Sequence, residues 1–334
     1  MLAVLIINYR TAQACITCLD ALLAQIDAGT RVLLLENGSG DSDKNTLIEY
    51  ATLHADQIEI EISASNLGFA GGMNLLLERA LRDARIDSVL LLNSDTRPIA
   101  GFLPAMQRLL NPATRCEMIA ARLLRPDDDA IDSLGITLYR STLASNRKRE
   151  DEILLGPTGG CALLSRRLLE DLHSTHGEYF DTDFFCYAED TDLVLRARWL
   201  GYQPAYATDA LVYHSGSLSS GGAGSDFVLY HGIRNSLWWL IKNAPPGWLL
   251  RSLPWFVVLH AGICLRHLRR GRMRVLWRLY RDACRGVPAM RKKRALIRAA
   301  RRVPASDFSR WVEPRFYERD YVRRAWFELW RKLG

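Results

Sequence analysis

The stretch Leu90-Leu91-Leu92-Asn93-Ser94-Asp95-Thr96 joins a short apolar run directly to a carboxylate. Such a run, ending abruptly in polar residues, is typical of a buried strand that stops at the edge of a sheet. Two earlier runs, 2–7 and 31–35, end in the same way, at Asn8 and at Glu36-Asn37-Gly38. The sequence therefore predicts several buried strands, each followed by polar side chains.

Helix-like stretches separate these strands, at 12–24, 43–53 and 72–82, and residues 58–62 alternate as a half-exposed strand would. Strands that alternate with helices at this spacing predict a parallel α/β sheet. Ligands of such sheets bind beyond the carboxyl ends of the strands. We therefore expect the polar residues after the strands to form a substrate site.

The bulk properties indicate a globular chain with reduced thiols. Its 334 residues are 49% hydrophobic and 24% charged, which excludes a disordered protein. Seven scattered cysteines do not form a disulfide framework, and the pair Cys15 and Cys18 lacks the partners that a zinc site needs. The apolar start gives way at once to Asn8-Tyr9-Arg10, so we expect a first strand and not a secretory signal.

Charge is divided unevenly along the chain. From residue 242 onward there are 24 Lys and Arg against 6 Asp and Glu, whereas the part before it has 20 against 31. An acidic body with a basic tail predicts an anionic partner for the tail, either nucleic acid or the inner leaflet of a membrane.

The tail also contains apolar residues. Its longest uncharged stretch, 252–265, has 14 residues, short of the roughly 20 that a spanning helix needs. We therefore expect it to lie in a membrane surface and not to cross it. Residues 266–285 and 289–302 mix Leu, Trp and Tyr with many Arg, as interfacial helices do. The alternative is that this region packs on the body of the protein.

Two motifs indicate phosphate chemistry. The turn 66–72, which contains four glycine or alanine residues after Asn66, enters a helix and allows backbone N–H groups to approach a diphosphate. Asp95, directly after a strand, is the kind of oxygen ligand that a divalent cation on a diphosphate prefers. Each motif alone could also be an ordinary turn or cap.

Two further motifs carry titratable groups. Glu189, Asp190 and Asp192 lie among apolar neighbours, where three carboxylates are costly to desolvate, so a functional role is favoured. Asp192 and Arg196 are four residues apart and could form a structural salt bridge. His214 ends another apolar run and could be a metal ligand, a general base or an exposed loop residue. The glycine-rich segments 156–160 and 215–225 predict loops, the second able to close over a substrate.

Together these motifs resemble the inverting family 2 glycosyltransferases of the GT-A fold, in particular the bacterial rhamnosyltransferase-like branch. The resemblance covers about residues 2–235, and the tail matches only in general character. It is carried by Ile7-Asn8-Tyr9, Glu36-Asn37-Gly38-Ser39-x-Asp41, Asn66-x-Gly68-Phe69-Ala70-Gly71-Gly72-x-Asn74, Asn93-Ser94-Asp95-Thr96, Glu189-Asp190-x-Asp192 and His214.

The resemblance implies an α/β GT-A nucleotide-diphospho-sugar transferase fold over 1–235, followed by a helical, basic, membrane-associating appendage over 236–334. A chain cut near residue 235 is then expected to fold as a soluble domain that binds the donor but no longer binds anionic membranes. The implied reaction transfers a sugar from a dTDP- or UDP-sugar, with dTDP-rhamnose preferred. The implied acceptor is a saccharide or a polyprenyl-diphosphate-linked saccharide at the cytoplasmic face of the cell membrane, in cell-envelope polysaccharide assembly.

The resemblance also assigns roles to single residues. Asp95 would hold Mg²⁺ or Mn²⁺ on the donor diphosphate with His214 as a second ligand, and Asp190 would be the general base. The residues that would contact the donor are Asn8, Glu36, Asn66, Gly68, Asn93 and Asp95. Glu36 is longer than the Asp that is usual at its position, and Asn93 replaces the first Asp of the D-x-D motif.

Three other functions compete with this one. A dinucleotide-dependent oxidoreductase needs a G-x-G-x-x-G turn after the first strand, which is missing. A nucleic-acid-binding protein would use the basic tail, but the apolar stretch ahead of the tail suits lipid better. A catalytically inactive, transferase-like scaffold conflicts with the presence of Asp95, Asp190 and His214.

Overall fold

The computed structural model describes residues 1–27, 29–216, 221–222 and 224–319. The strands are β1 Leu2–Asn8, β2 Thr30–Asn37, β3 Ile58–Ser63, β4 Ser88–Leu92, β5 Thr96–Pro98, β6 Cys116–Leu124, β7 Ile131–Ser133, β8 Ile136–Tyr139, β9 Ala144–Asn146, β10 Cys161–Ser165, β11 Gln203–His214 and β12 Val312–Glu313. The helices are α1 Ala12–Leu23, α2 Asp41–Leu53, α3 Gly68–Leu81, α4 Phe102–Gln107, α5 Arg166–His176, α6 Glu189–Trp199, α7 Asp226–Asn243, α8 Pro246–Arg269 and α9 Met273–Ala300.

The central sheet begins with the parallel strands that the apolar runs predict. Within the described residues the order is β3-β2-β1-β4-β10-β6-β11-β5, with β7 also paired to β6. Strands β1 to β4 are parallel where they pair, so Asn8 lies opposite Glu36 at one edge. The predicted α/β fold is confirmed, and α3 begins four residues earlier than predicted because the glycine-rich turn is itself the first turn of the helix.

Antiparallel strands complete the sheet and close the site. Strand β10 runs antiparallel between β4 and β6, and β5 runs antiparallel to the end of β11. This last pairing puts His214 opposite Thr96, and the backbone N–H of Ser215 donates to the carbonyl of Asp95 at 3.0 Å. Residues far apart in the chain thereby meet at the end of β4.

Apolar side chains fill both faces of the sheet. One core contains residues of α1, α2 and α4, and the other contains residues of α3, α5 and α6 together with α7 and α9. Met290 and Ile297 of α9 are buried in this second core, and Trp238 of α7 lies so close to Gly286 that a Cβ there would be 2.5 Å from its ring. Helix α9 thus packs on the body of the protein, which is what the alternative interpretation of the basic tail predicts.

The predicted boundary at residue 235 falls inside α7, and the division into 1–235 and 236–334 stays a prediction. A chain ending there would lack the rest of α7 and the α9 side chains that fill the second core. Part of the predicted 215–225 loop, namely 217–220 and 223, lies outside the described residues, as does 320–334.

Helix α8 differs from α7 and α9 because most of it is exposed. It has 24 residues, and an 18-residue window with mean hydropathy 1.5 is only 17% buried. The expectation that this region is too short to cross a membrane is wrong, because the helix continues through Pro254 and extends beyond the uncharged stretch 252–265, back to Pro246 on one side and on to Arg269 on the other. That the region lies in a membrane surface stays a prediction.

Candidate active site

A cleft of about 710 Å³ lies at the carboxyl ends of β1, β2 and β4. The predicted site residues that line it are Asn66, Gly68, Asn93, Asp95, Asp190 and His214. Its other walls come from Tyr9 to Thr11, from β9, from the segment before α6 and from α7. The structure therefore brings together most of the side chains that the motifs single out.

Asn8 and Glu36 do not line the cleft, because both are buried and occupied by local contacts. The carboxylate of Glu36 accepts hydrogen bonds from the N–H groups of Gly38, at 3.2 Å, and Ser39, at 2.7 Å. The Asn8 amide donates to Ser39 and Asp43 and accepts from Thr11. In this structure they shape the loops at the cleft, and their predicted contact with the donor stays a prediction.

Asn37 holds the glycine-rich turn in place. Its amide donates to Asn66 Oδ1 at 3.1 Å and to the Gly68 carbonyl at 3.2 Å, and its Oδ1 accepts from the Leu67 N–H at 2.9 Å. Gly68 has φ +71°, and a Cβ there would lie 2.4 Å from the carbonyl oxygen of Phe185. Only glycine fits this close approach, which joins the turn to the segment that precedes α6.

Asp95, His214 and Asp132 form a connected group. Asp132 Oδ2 lies 2.7 Å from Nδ1 of His214, and Asp95 Oδ1 lies 3.3 Å from Nε2. Burial alone would lower the pKa of His214, but the hydrogen bonds with Asp132 and Asp95 outweigh it and raise that pKa to about 9. The imidazole is thus held between two carboxylates.

This group has the chemistry and spacing of a partial site for a divalent cation. At neutral pH both ring nitrogens carry a proton, Nδ1–H donating to Asp132 and Nε2–H facing Asp95. A cation that replaced the Nε2 proton would bind a ring that a second carboxylate already orients, as in metal-binding histidines. In an octahedral complex with bonds of about 2.1 Å, neighbouring ligand atoms lie roughly 3.0 Å apart, close to the 3.3 Å seen between Nε2 and Oδ1. Among the described residues no group of three or more His, Cys, Asp or Glu side chains could hold a metal. A cation bound here would therefore have two protein ligands and would take its other ligands from phosphate and water, and this site stays a prediction.

Asp190 is held rigidly at the start of α6. Its Oδ2 accepts from the N–H of Gly159 at 3.0 Å, and its Oδ1 accepts from the N–H of Thr191 at 2.6 Å and from the Thr191 hydroxyl at 3.3 Å. Burial raises the pKa of Asp190 above its ordinary value despite these donors. A carboxylate that is desolvated, oriented and open to a cleft is suited to accept a proton.

Its neighbours Glu189 and Asp192 have different surroundings. Burial and the adjacent Asp190 raise the pKa of Glu189 well above its ordinary value, and Glu189 Oε2 has no hydrogen-bond partner among the described residues. Asp192 lies outside the cleft and pairs with Arg196 at 2.8 Å and with Lys242 at 2.8 Å. The predicted Asp192–Arg196 salt bridge is therefore confirmed.

The sequence motifs missed three contributors to the site: Asn37, Asp132 and Gly159. Asn37 and Gly159 lie in stretches that the motifs include, but nothing in those stretches marks which of their residues act. Asp132 has no local signal at all. It reaches His214 because β7 and β11 both pair with β6.

The structure is similar to several glycosyltransferases of known structure. A mannosyltransferase from Pyrobaculum calidifontis in complex with GDP-Man and Mn²⁺ is 18% identical, with a TM-score of 0.54, and the match covers 90% of this chain and 85% of that one. Residues 1–349 of S. aureus TarS in complex with UDP-GlcNAc are 14% identical, with a TM-score of 0.56 and coverage of 92% and 91%. Likeness at this identity shows the fold, and the predicted GT-A fold is confirmed.

No curated protein matches the sequence. A family model described as "Glycosyltransferase like family 2" matches residues 1–226 of the 334. The match covers β1 to β11, and with them the strands and loops that carry Asp95, Asp190 and His214. The chain therefore belongs to the family 2-like glycosyltransferases.

Proposed function

We propose that the protein is an inverting, cation-dependent glycosyltransferase in which Asp190 is the general base. The observation that carries this proposal is that one cleft holds both the Asp95–His214 pair and the oriented carboxylate of Asp190. The first group suits a diphosphate with its cation, and the second suits an acceptor hydroxyl. A transferase that inverts needs these two functions and no covalent intermediate.

The residues divide the work as follows. The turn held by Asn37 and Asn66 presents the start of α3 to the donor, and Asp95 with His214 holds the diphosphate end. A bound Mg²⁺ or Mn²⁺ would neutralise the charge of the nucleoside diphosphate as it leaves. Asp190 takes the proton of the acceptor hydroxyl while the acceptor oxygen bonds to the anomeric carbon and the bond to the diphosphate breaks. Attack on the face opposite the leaving group inverts that carbon.

The donor we favour is dTDP-rhamnose, on the resemblance of the motifs to rhamnosyltransferases, with UDP-sugars next. The acceptor is a saccharide or a polyprenyl-diphosphate-linked saccharide of the cell envelope. A panel of dTDP-rhamnose, UDP-GlcNAc, UDP-galactose and GDP-mannose with Mn²⁺ should identify the donor by thermal stabilisation. A ligand at 100 times its Kd stabilises a protein by about 2.7 kcal/mol. Failure of all four to stabilise the protein or to release nucleoside diphosphate would contradict the proposal.

Donor binding should depend on the cation and on its two ligands. Asp95→Ala and His214→Ala should each weaken Mn²⁺-dependent binding of the donor nucleotide at least about tenfold, because each removes one of two protein ligands. Asp132→Asn, which removes the negative charge beside Nδ1 of His214, should weaken it by about 10–100-fold. Titration calorimetry with and without Mn²⁺ measures these changes.

Asp128→Asn is the matched control for that series, because Asp128 pairs with Arg125 on the surface, outside the cleft. It should bind donor nucleotide as the wild type does. Full turnover in excess chelator would remove the cation from the mechanism.

We further propose that the protein is cytoplasmic and peripheral to the inner face of the membrane, with α8 as the contact. The outer face of α8 exposes Leu250, Leu253, Val257 and Val258, each more than half exposed. Exposed arginines follow at its end, Arg269 and Arg270 among them. An apolar face bordered by cations fits an anionic lipid surface, where each basic residue contributes about 1 kcal/mol.

Two negative charges introduced on this face by substitution should prevent the protein from binding to vesicles. Fully burying a side chain of this size contributes about 1.5–3 kcal/mol, so Leu253→Glu with Val257→Glu should lower partitioning to phosphatidylglycerol vesicles more than tenfold. Leu53→Glu on α2, at a residue 76% exposed, is the control and should partition normally. Vesicle flotation at physiological salt measures the effect. A wild-type protein that stays unbound, or one that resists alkaline carbonate extraction as a spanning protein does, would contradict peripheral attachment.

A further inference from the structure

The segment just before Asp190 has an unfavourable backbone. Phe185, Tyr187 and Ala188 have φ of 65°, 67° and 64°, a region that residues other than glycine avoid. At Phe185, with ψ −66°, the N–H of Cys186 donates to the Phe184 carbonyl at 2.8 Å, which makes a γ-turn of the rare, strained kind. Such conformations persist only where the surrounding structure holds them.

One amide on α7 holds this segment. Asn235 is completely buried, and its Nδ2 lies 2.9 Å from the carbonyl of Phe184, 2.8 Å from that of Cys186 and 2.7 Å from that of Tyr187. A single NH₂ group thus lies within hydrogen-bond distance of the carbonyls on both sides of the strained Phe185. Its removal would take one donor from each of these carbonyls, although that of Phe184 would still accept from the N–H of Cys186.

Arg234 fixes the orientation of this amide. Its Nε donates to Asn235 Oδ1 at 2.9 Å, which turns the NH₂ group toward the carbonyls, and its Nη2 donates to the Phe184 carbonyl at 3.1 Å. Arg234 is itself buried and lies over the Trp238 ring at 4.2 Å. The two neighbouring residues therefore act as one clamp on the segment.

The clamped segment connects the two halves of the cleft. The Phe185 carbonyl accepts from the N–H of Ala70 at 3.0 Å, on the donor-side helix α3. Ala188 is the N-cap of α6, two residues before Asp190. A shift of residues 185–188 would therefore move Asp190 relative to the glycine-rich turn.

We propose that Asn235, oriented by Arg234, is a positioning residue that sets Asp190 against the donor-binding turn and so controls activation of the acceptor hydroxyl. The inference rests on the proposed role of Asp190 as base. Misplacement by about 1 Å can cost a reaction about 100-fold. Asn235→Ala should lower kcat by about 10–100-fold and change the Kd of UDP or dTDP with Mn²⁺ less than about twofold.

Asn235→Asp tests whether the hydrogen bonds donated by the side chain matter, or only its size and shape. It keeps the volume and the contact with Arg234 but replaces the donor NH₂ by an oxygen, so it should lose as much turnover as Asn235→Ala. Arg234→Lys keeps the charge but cannot reach both partners, and it tests the same clamp if the Asn235 variants do not fold. Asn111→Ala is the control, since Asn111 also holds backbone N–H groups, of Ala113 and Thr114, but far from the cleft. It should leave turnover unchanged.

A double-mutant cycle shows whether the clamp acts through Asp190. Turnover is measured as nucleoside diphosphate release from the donor selected by the panel. In the Asp190→Asn background, Asn235→Ala should cost less than about threefold, because residues that act as one unit are strongly non-additive. If Asn235→Ala lowers turnover by the same factor in the wild type and in Asp190→Asn, the proposal is overturned. If Asp190→Asn alone retains full turnover, the base assignment fails instead, so the two failures are distinguishable.

Hydrogen exchange tests the clamp without any substrate. Amides of 184–188 should exchange at least tenfold faster in Asn235→Ala than in the wild type, whereas those of β1 and β4 should be unchanged. Unchanged protection of 184–188 would overturn the proposal whatever the kinetics show.

Discussion

Asp190→Asn should lower turnover by about 10²–10⁴-fold, the usual contribution of general base catalysis, while the fold and nucleotide binding are retained. The amide keeps the size of the carboxylate and one oxygen to accept from Gly159 or Thr191, but it cannot take the proton of the acceptor. The measurement is the rate of nucleoside diphosphate release at saturating donor, together with nucleotide affinity by calorimetry. Wild-type turnover would remove Asp190 from the mechanism.

The pH profile gives the same prediction a second readout. A base acts only when ionised, and the pKa of Asp190 is raised by burial, so the rate should fall as pH falls through that raised pKa. This acidic limb should be lost in Asp190→Asn. Asp209→Asn is a matched control, because Asp209 also accepts from a neighbouring threonine hydroxyl, at 3.3 Å, but is exposed. It should keep both the rate and the limb.

Local sequence predicts the strands and the polar residues at their ends. The runs before Asn8, Glu36 and Asn93 each form a strand, because an uninterrupted apolar run between polar residues can be satisfied only by burial. The carboxyl ends of parallel strands then meet by geometry. Asp95 could therefore be placed at the site without knowledge of any long-range contact.

Contacts between distant elements could not be predicted in this way. Asp132 joins His214 through the pairing of two strands with β6, and Asn235 reaches the Phe185 turn through the packing of α7. The local hydrogen bonds of Glu36 were not predicted either. The resemblance implies that Glu36 contacts the donor, which stays a prediction, and in the structure its carboxylate accepts from the N–H groups of the turn that follows.

The net charge of the tail does not show which of its basic residues face solvent. Lys242 and Lys293 contribute to the basic excess, yet both form ion pairs with Asp181 of the body. A net charge describes how a region meets its surroundings only when its side chains face solvent. The exposed arginines at the end of α8 meet that condition, and Lys242 does not.

Lys242→Met should destabilise the protein by about 3–5 kcal/mol, the usual cost of removing one partner from a buried ion pair. The ammonium group of Lys242 is buried and lies 2.6 Å from Asp181 and 2.8 Å from Asp192. Methionine fills the space but leaves two desolvated carboxylates with fewer cations. Urea denaturation measures the loss. Lys44→Met, at an exposed pair with Asp41, should change stability far less.

Acid should act on the same cluster in a defined direction. Burial alone would raise the pKa of Asp192, but Lys242 and Arg196 outweigh it and hold that pKa below its ordinary value. A carboxyl with a depressed folded-state pKa contributes stability that is fully present above its unfolded value of about 3.9 and is lost as pH falls through the folded one. Wild-type stability should therefore decline as pH falls below about 4. This decline should be smaller in Lys242→Met, because without the Lys242 ammonium group the pKa of Asp192 is lowered less on folding. Equal acid sensitivity in the two proteins, or a Lys242→Met variant as stable as the wild type at neutral pH, would show that the ion pair of Lys242 with Asp192 does not stabilise the packing of α7 on α6. Through Lys242 and Asn235, α7 contacts both α6, the helix that carries Asp190, and the segment before it.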